Sequence, residues 1–180
     1  GVSSKNKLYF CHDGCVYDKV GNILYSVPNG KKTISFHKDI KEIFGYAFLG
    51  CSMLESFIIP DSVVEIGKYA FAFCTGLKSV KLGSGIADIP DGAFYGCNNL
   101  ETVDLPLLIN SIGDDAFNAC AKLKEMTLPS GMDYLASGAF RGCASLTQIT
   151  IPTSVMVIGQ NCFSGCTGLT SITIPDSVEL

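Results

Sequence analysis

Phenylalanines recur every 23 residues along the chain, at Phe48, Phe71, Phe94, Phe117, Phe140 and Phe163. Ala47, Ala70, Ala93, Ala116 and Ala139 precede the first five, and Cys162 precedes the last. Three residues after each comes a cysteine (Cys51, Cys74, Cys97, Cys120, Cys143, Cys166), and three further on a leucine (Leu54, Leu77, Leu100, Leu123, Leu146, Leu169). An alternating pair follows in every copy, as in Phe57/Ile59, Val80/Leu82 and Ile149/Ile151. Pro60, Pro106, Pro129, Pro152 and Pro175 then close most copies, with Gly83 the exception. A last apolar pair, Val63/Ile66 or Val155/Ile158, completes the unit. Self-similarity at a fixed period is the mark of a repeat architecture.

The spacing sets local structure. Period-two alternation over 79–82 predicts a short strand with one face buried, and the proline after it stops the strand. Asp61-Ser62, Ser84-Gly85 and Ser130-Gly131 supply turn chemistry before the second inward pair returns on the opposite side. The Gly-x-x-Ala-Phe-x-x-Cys stretch is too short for a full helix and reads as a turn or a short 3₁₀ segment. One such coil cannot bury its apolar edge alone, so the coils must stack. The expected fold is therefore mainly β with irregular or 3₁₀ turns, a solenoid of 23-residue repeats over 31–180.

A partial copy over 33–48 keeps the columns, with Phe36 in a strand and Ile40/Ile43 as the return pair. Ahead of it, Leu8-Tyr9-Phe10, Cys15-Val16-Tyr17 and Ile23-Leu24-Tyr25 read as three strands around the Asp13-Gly14 hairpin turn. Residues 5–30 are expected to form an antiparallel meander that caps the first coil. At the other end the row Ser171 to Ile174 is expected as an open strand edge, either a simple chain end or an edge for self-association with another chain.

These residues resemble a known family. IPDSVVEIGKYAFAFCTGLKSVKL, and its echo IPTSVMVIGQNCFSGCTGLTSITIP, look like the BspA-type leucine-rich repeats of bacterial surface proteins, and the likeness runs from about Ile34 to Val178. The resemblance implies a leucine-rich repeat solenoid that is secreted or exposed on a bacterial cell surface and binds other proteins, often as an adhesin. Gly83 in place of Pro, Cys162 in place of Ala, and Leu107-Leu108 in place of the polar turn pair depart from the pattern.

Nine cysteines raise the question of disulfides. Six share one column, and parallel Cα–Cβ vectors in rows about 4.8 Å apart do not reach the ~3.8 Å Cβ separation a disulfide prefers. A buried ladder of free thiols is expected, which burial reconciles with an oxidising exterior. Cys11 and Cys15 flank the Asp13-Gly14 turn, where a two-residue loop puts them on opposite faces and disfavours, without forbidding, a bond. The chain opens at Gly1, so its lack of a signal peptide carries no meaning.

Composition narrows function. A formal net charge of −4 with no run of Lys or Arg argues against nucleic acid and anionic membrane surfaces, and no apolar stretch reaches bilayer-spanning length. There are no paired CxxC zinc motifs, P-loop or nucleophile elbow. His12 and His37 read as exposed residues and Asp114-Asp115 as a solvated turn, so neither catalysis, a metal nor a cofactor is expected.

Two surfaces remain. Tyr46, Leu49, Tyr69, Phe73 and Tyr95 flank the Ala-Phe columns where later coils carry Gly, Ala, Ser, Asn, Asp or Arg, so the first three coils should present an outer aromatic patch suited to a protein partner. The outward strand positions, among them Lys81, Thr102, Asp104, Glu125, Thr127, Gln148, Thr150 and Thr173, form an expected concave face rich in hydroxyls. On that face carbohydrate binding is the alternative, and a purely structural spacer is the other.

Overall fold

A computed structural model describes residues 2–179. Its short strands form without any helix among the described residues. The cap is the expected meander. β1 (Tyr9–His12) pairs antiparallel with β2 (Cys15–Asp18), and β2 pairs antiparallel with β3 (Ile23–Ser26) across a bulge at Val16/Tyr17. From there two-residue strands alternate with three-residue strands. The former are β4 (Glu42–Ile43), β6 (Glu65–Ile66), β8 (Asp88–Ile89), β10 (Ser111–Ile112), β12 (Tyr134–Leu135) and β14 (Val157–Ile158). The latter are β5 (Ser56–Ile58), β7 (Ser79–Lys81), β9 (Thr102–Asp104), β11 (Glu125–Thr127) and β13 (Gln148–Thr150). Pairing along each row is parallel and in register, Phe57 beside Val80 beside Val103 on one side and Ile112 beside Leu135 beside Ile158 on the other. The 23-residue column is thus a row of the solenoid.

The third side of each coil is a run of turns rather than a strand. Ala47, Leu49 and Cys51 N–H each donate to the carbonyl three residues back. Other amides donate to the next coil, Phe48 to Ala70, Phe71 to Ala93 and Phe94 to Ala116, each at 2.8–2.9 Å. Backbone groups that would otherwise be buried without partners are thereby satisfied coil to coil. The turns require left-handed backbone at two columns. Tyr46, Tyr69, Gly92, Asp115, Gly138 and Asn161 hold φ of 52–64°, and Gly50, Phe73, Gly96, Ala119, Gly142 and Gly165 hold 57–77°.

The core is one continuous cluster from Cys15 in the cap to Cys166. Phe48, Phe71, Phe94, Phe117 and Phe140 are fully buried and stack ring on ring, with centroids 4.8–5.5 Å apart, and Phe163 continues the stack at 5.6 Å. Beside them all nine cysteines are free, Cys11 and Cys15 included. The Cys74, Cys97, Cys120, Cys143 and Cys166 thiols each donate to the carbonyl of the phenylalanine in the preceding coil, at 3.0–3.2 Å.

Four expectations are corrected. Residues 33–36 form no strand: β3 of the cap extends the short-strand row beside β4, and 33–36 makes no ladder with β5. Ser35 N–H goes instead to the Asp13 carboxylate at 2.8 Å, and Phe36 packs on Phe48 and Phe57 without ladder bonding. The row 171–174 is likewise no strand edge; its residues are exposed, outside any strand, and line one depression with β13. His12 is half-buried, since its register opposite Cys15 turns it to the inner side of the hairpin, 6.0 Å from the Tyr17 ring. His37 is half-buried too, its ring over Gly21, where a Cβ would come within 2.3 Å of Nδ1.

Gly83, the missing proline, has a steric reason. A Cβ there would lie 2.3 Å from the Pro60 carbonyl oxygen and 2.8 Å from Asp61 Cα, which is backbone and has little room to yield. Restoring the repeat consensus with Gly83→Pro is therefore expected to destabilise the chain by about 1–3 kcal/mol, through overpacking. A urea midpoint equal to or above that of the parent chain would contradict the close approach.

Candidate interaction surface

The four aromatic residues of the sequence-selected patch come together, and Leu49 is exposed on the same coil as Tyr46. Tyr46 lies flat on Tyr69, with centroids 5.5 Å apart and planes at 4°. Tyr69 meets Tyr95 at 6.4 Å, and Phe73 meets Tyr95 edge to face at 5.3 Å. Tyr46, Leu49 and Phe73 are 57, 43 and 49% exposed, whereas Tyr69 and Tyr95 are half-buried. A Cβ on Gly92 would lie 2.2 Å from Tyr69 Cε1, and one on Gly96 2.7 Å from Phe73 Cδ1, so each ring covers a glycine of the next coil.

Tyr46, Tyr69 and Phe73 also hold the left-handed backbone that Gly, Asp and Asn take in the same columns. Bulky side chains are uncommon there, and each such residue costs of order 1 kcal/mol. Later coils show the fold does not need them, since Gly138, Asn161, Gly142 and Gly165 make the same turns. Three aromatic residues thus occupy positions where backbone preference opposes them, on one outer side of the first coils.

The surface extends further than sequence columns indicate. Phe44, 47% exposed, meets Tyr25 at 4.9 Å, and Tyr25 meets Tyr9 of the cap at 5.3 Å. The signal was present in the sequence: Phe44 heads a column that is otherwise Gly67, Pro90, Gly113, Ala136 and Gly159. Carboxylates border these rings. Glu42 and Glu65 are register partners on β4 and β6, and Asp88 opens β8 in the same column. Burial holds the Glu42 acid above its usual range, and Glu65 and Asp18 push it the same way. Tyr25 is raised by burial, with Tyr9, Asp18 and Glu42 adding to it.

The long-strand face is of another kind. Lys81, Thr102, Asp104, Glu125, Thr127, Gln148 and Thr150 are exposed on β7, β9, β11 and β13, while Thr173 is exposed outside any strand. Lys81 pairs with Asp104 at 3.4 Å, and beside the face Lys78 pairs with Glu55 at 2.7 Å and Lys124 with Glu101 at 2.6 Å. Such exposed pairs contribute under about 1 kcal/mol each. Shallow depressions run over Glu125, Thr127, Gln148 and Thr150, with no aromatic platform in them. Among the described residues no three His, Cys, Asp or Glu side chains gather as a metal site.

The comparisons with known proteins agree with this geometry. The family model for the BspA type leucine rich repeat region matches six copies, over residues 20–144 and 87–180. A leucine-rich repeat protein from Bacteroides ovatus superposes with a TM-score of 0.77 at 31% identity, over 95% of this chain and 46% of that one. One from Eubacterium ventriosum gives 0.81 at 26% identity, over 98 and 54%. A leucine rich cell surface protein from Faecalibacterium prausnitzii gives 0.64 at 29%, over 92 and 39%. The chain thus spans about half the length of the first two structures. A search of curated proteins returns no match.

Proposed function

The chain belongs to the BspA-type leucine-rich repeat family, a bacterial surface-type repeat fold, and from that membership we propose that it is a protein-binding module for adhesion or scaffolding on a secreted or cell-surface protein. The observation that supports this reading is the aromatic patch, with Tyr46, Tyr69 and Phe73 in left-handed backbone that the repeat elsewhere gives to smaller residues. Clustered exposed aromatics are what protein interfaces use as anchors. A rigid stack of coils holds them in fixed register, so little ordering entropy is lost when a partner docks. The surface location rests on the family and on the cell surface protein of Faecalibacterium prausnitzii among the structural relatives.

The test replaces the two most exposed rings together. In Tyr46→Ser/Phe73→Ser the turns keep a Cβ and only exposed ring contacts are lost, so the melting temperature is expected to stay within a few degrees of the parent. Capture of purified extracellular-matrix proteins by the immobilised chain is expected to fall at least about tenfold, the scale of a single interface anchor. Undiminished capture by a variant that melts normally overturns the proposal.

A further inference from the structure

We propose that the same surface takes a cationic segment of its protein partner, with arginine or lysine side chains meeting Glu42, Glu65 and Asp88 while apolar ones lie against Phe44 and Tyr46. This rests on the aromatic patch being the binding surface and adds the chemistry of what binds. Glu42, Phe44 and Tyr46 are alternate outer residues of one coil, with Ile43 and Ala47 buried beneath them, so carboxylate and rings are presented together.

The two edges of the solenoid carry charge in different ways. Beside the long-strand face, successive rows carry Glu55, Lys78, Glu101 and Lys124, and opposite charges pair across the rows. The column through Glu42, Glu65 and Asp88 has three carboxylates in succession, with Asp18 close to the first. None of these four is within ion-pairing distance of a cation among the described residues. Lys41 precedes Glu42 without pairing with it, and Lys68 pairs with Asp91 at 2.6 Å. Asp18 and Asp88 accept hydrogen bonds from Ile23 N–H and the Ser111 hydroxyl, which leaves their charge in place. Like charges directly opposite in neighbouring strands are unfavourable, so the column carries a repulsion that a cationic partner removes on binding. The exposed faces of Phe44 and Tyr46 suit the same side chains through cation–π contact.

The experiment uses a fluorescein-labelled peptide of alternating arginine, serine and leucine, against one with glutamate in place of arginine, read by anisotropy on the full chain. The arginine peptide is expected to bind and the glutamate peptide not to. Glu42→Gln/Glu65→Gln/Asp88→Asn is expected to weaken binding at least about tenfold and flatten its salt dependence, with a melting temperature equal to or above the parent's because the repulsion is gone. Equal binding of both peptides, or a triple variant with unaltered affinity and salt dependence, overturns the inference. The two proposals fail separately. If the triple variant behaves as the parent while Tyr46→Ser/Phe73→Ser loses matrix capture, the patch stands and its cationic preference falls. If the aromatic variant loses neither peptide nor matrix proteins, the patch itself falls.

Discussion

Phe94→Ala is expected to cost about 3–5 kcal/mol, the usual range for truncating a buried phenylalanine. Phe94 has no exposed surface and sits between Phe71 at 5.1 Å and Phe117 at 5.3 Å, with planes within 9 and 4°. Removing it deletes two ring contacts worth about 0.5–1.5 kcal/mol each beyond area, and opens a cavity between coils that turn-to-turn hydrogen bonds hold at fixed spacing. In a solenoid each coil touches only its neighbours, so the loss falls on two interfaces at once. Urea unfolding should show a large fall in midpoint and a shallower transition as the halves uncouple. Phe163→Ala is the control: half-buried, with one ring neighbour in the stack, it should lose roughly half as much. A loss below about 1 kcal/mol at Phe94 is incompatible with a continuous dry stack.

That stack was legible in the sequence because a column repeated at a fixed period needs only one geometric assumption, that coils superpose. The phenylalanine and cysteine columns and the inward pairs all follow from it, while the meander follows from the Asp13-Gly14 turn between alternating segments. What was not legible breaks the repeat or crosses between its parts. His12 reads as a hairpin tip residue until the register with Cys15 is known, and His37 reads as exposed until Gly21 opens room beneath it. Phe36 fits its column yet makes no strand, because the Ser35 amide turns to the Asp13 carboxylate of the cap, a contact between parts that no column shows. At the patch the four chosen aromatic residues converge, but the columns could not join them to Phe44, Tyr25 and Tyr9, which lie in different elements. The left-handed turns had a visible trace in Gly92, Asp115, Gly138 and Asn161, residue types that tolerate positive φ in one column. Against that trace Tyr46 and Tyr69 stand out as choices made for something other than the turn.

The phenylalanines have a companion column whose chemistry makes the whole stack sensitive to alkali. Burial pushes the thiols up, Cys15 to about 11 and Cys51 and Cys162 to about 12. Cys120, Cys143 and Cys166 rise for the same first reason, while for Cys74 the hydrogen bond with Cys97 leads and burial follows. An unfolded thiol ionises near pH 8.5. A group whose folded pKa is raised contributes stability that is whole below the unfolded pKa and is lost as pH rises toward the folded one. Each such thiol therefore removes about 1.4 kcal/mol per pH unit above about 9. Several such thiols share one column, so their losses fall on the same stack of coils. Under reducing conditions the urea midpoint is expected to be level between pH 6 and 8 and to drop steeply above about 9. Lysine and tyrosine ionisation begins higher and is common to every variant, so Cys120→Ala/Cys143→Ala separates the cause. That variant starts less stable, but its midpoint should fall with pH more gently by about 2.7 kcal/mol per unit. Parallel slopes would mean that water already reaches the thiols in the folded chain, and the dry interior inferred from the column would be wrong.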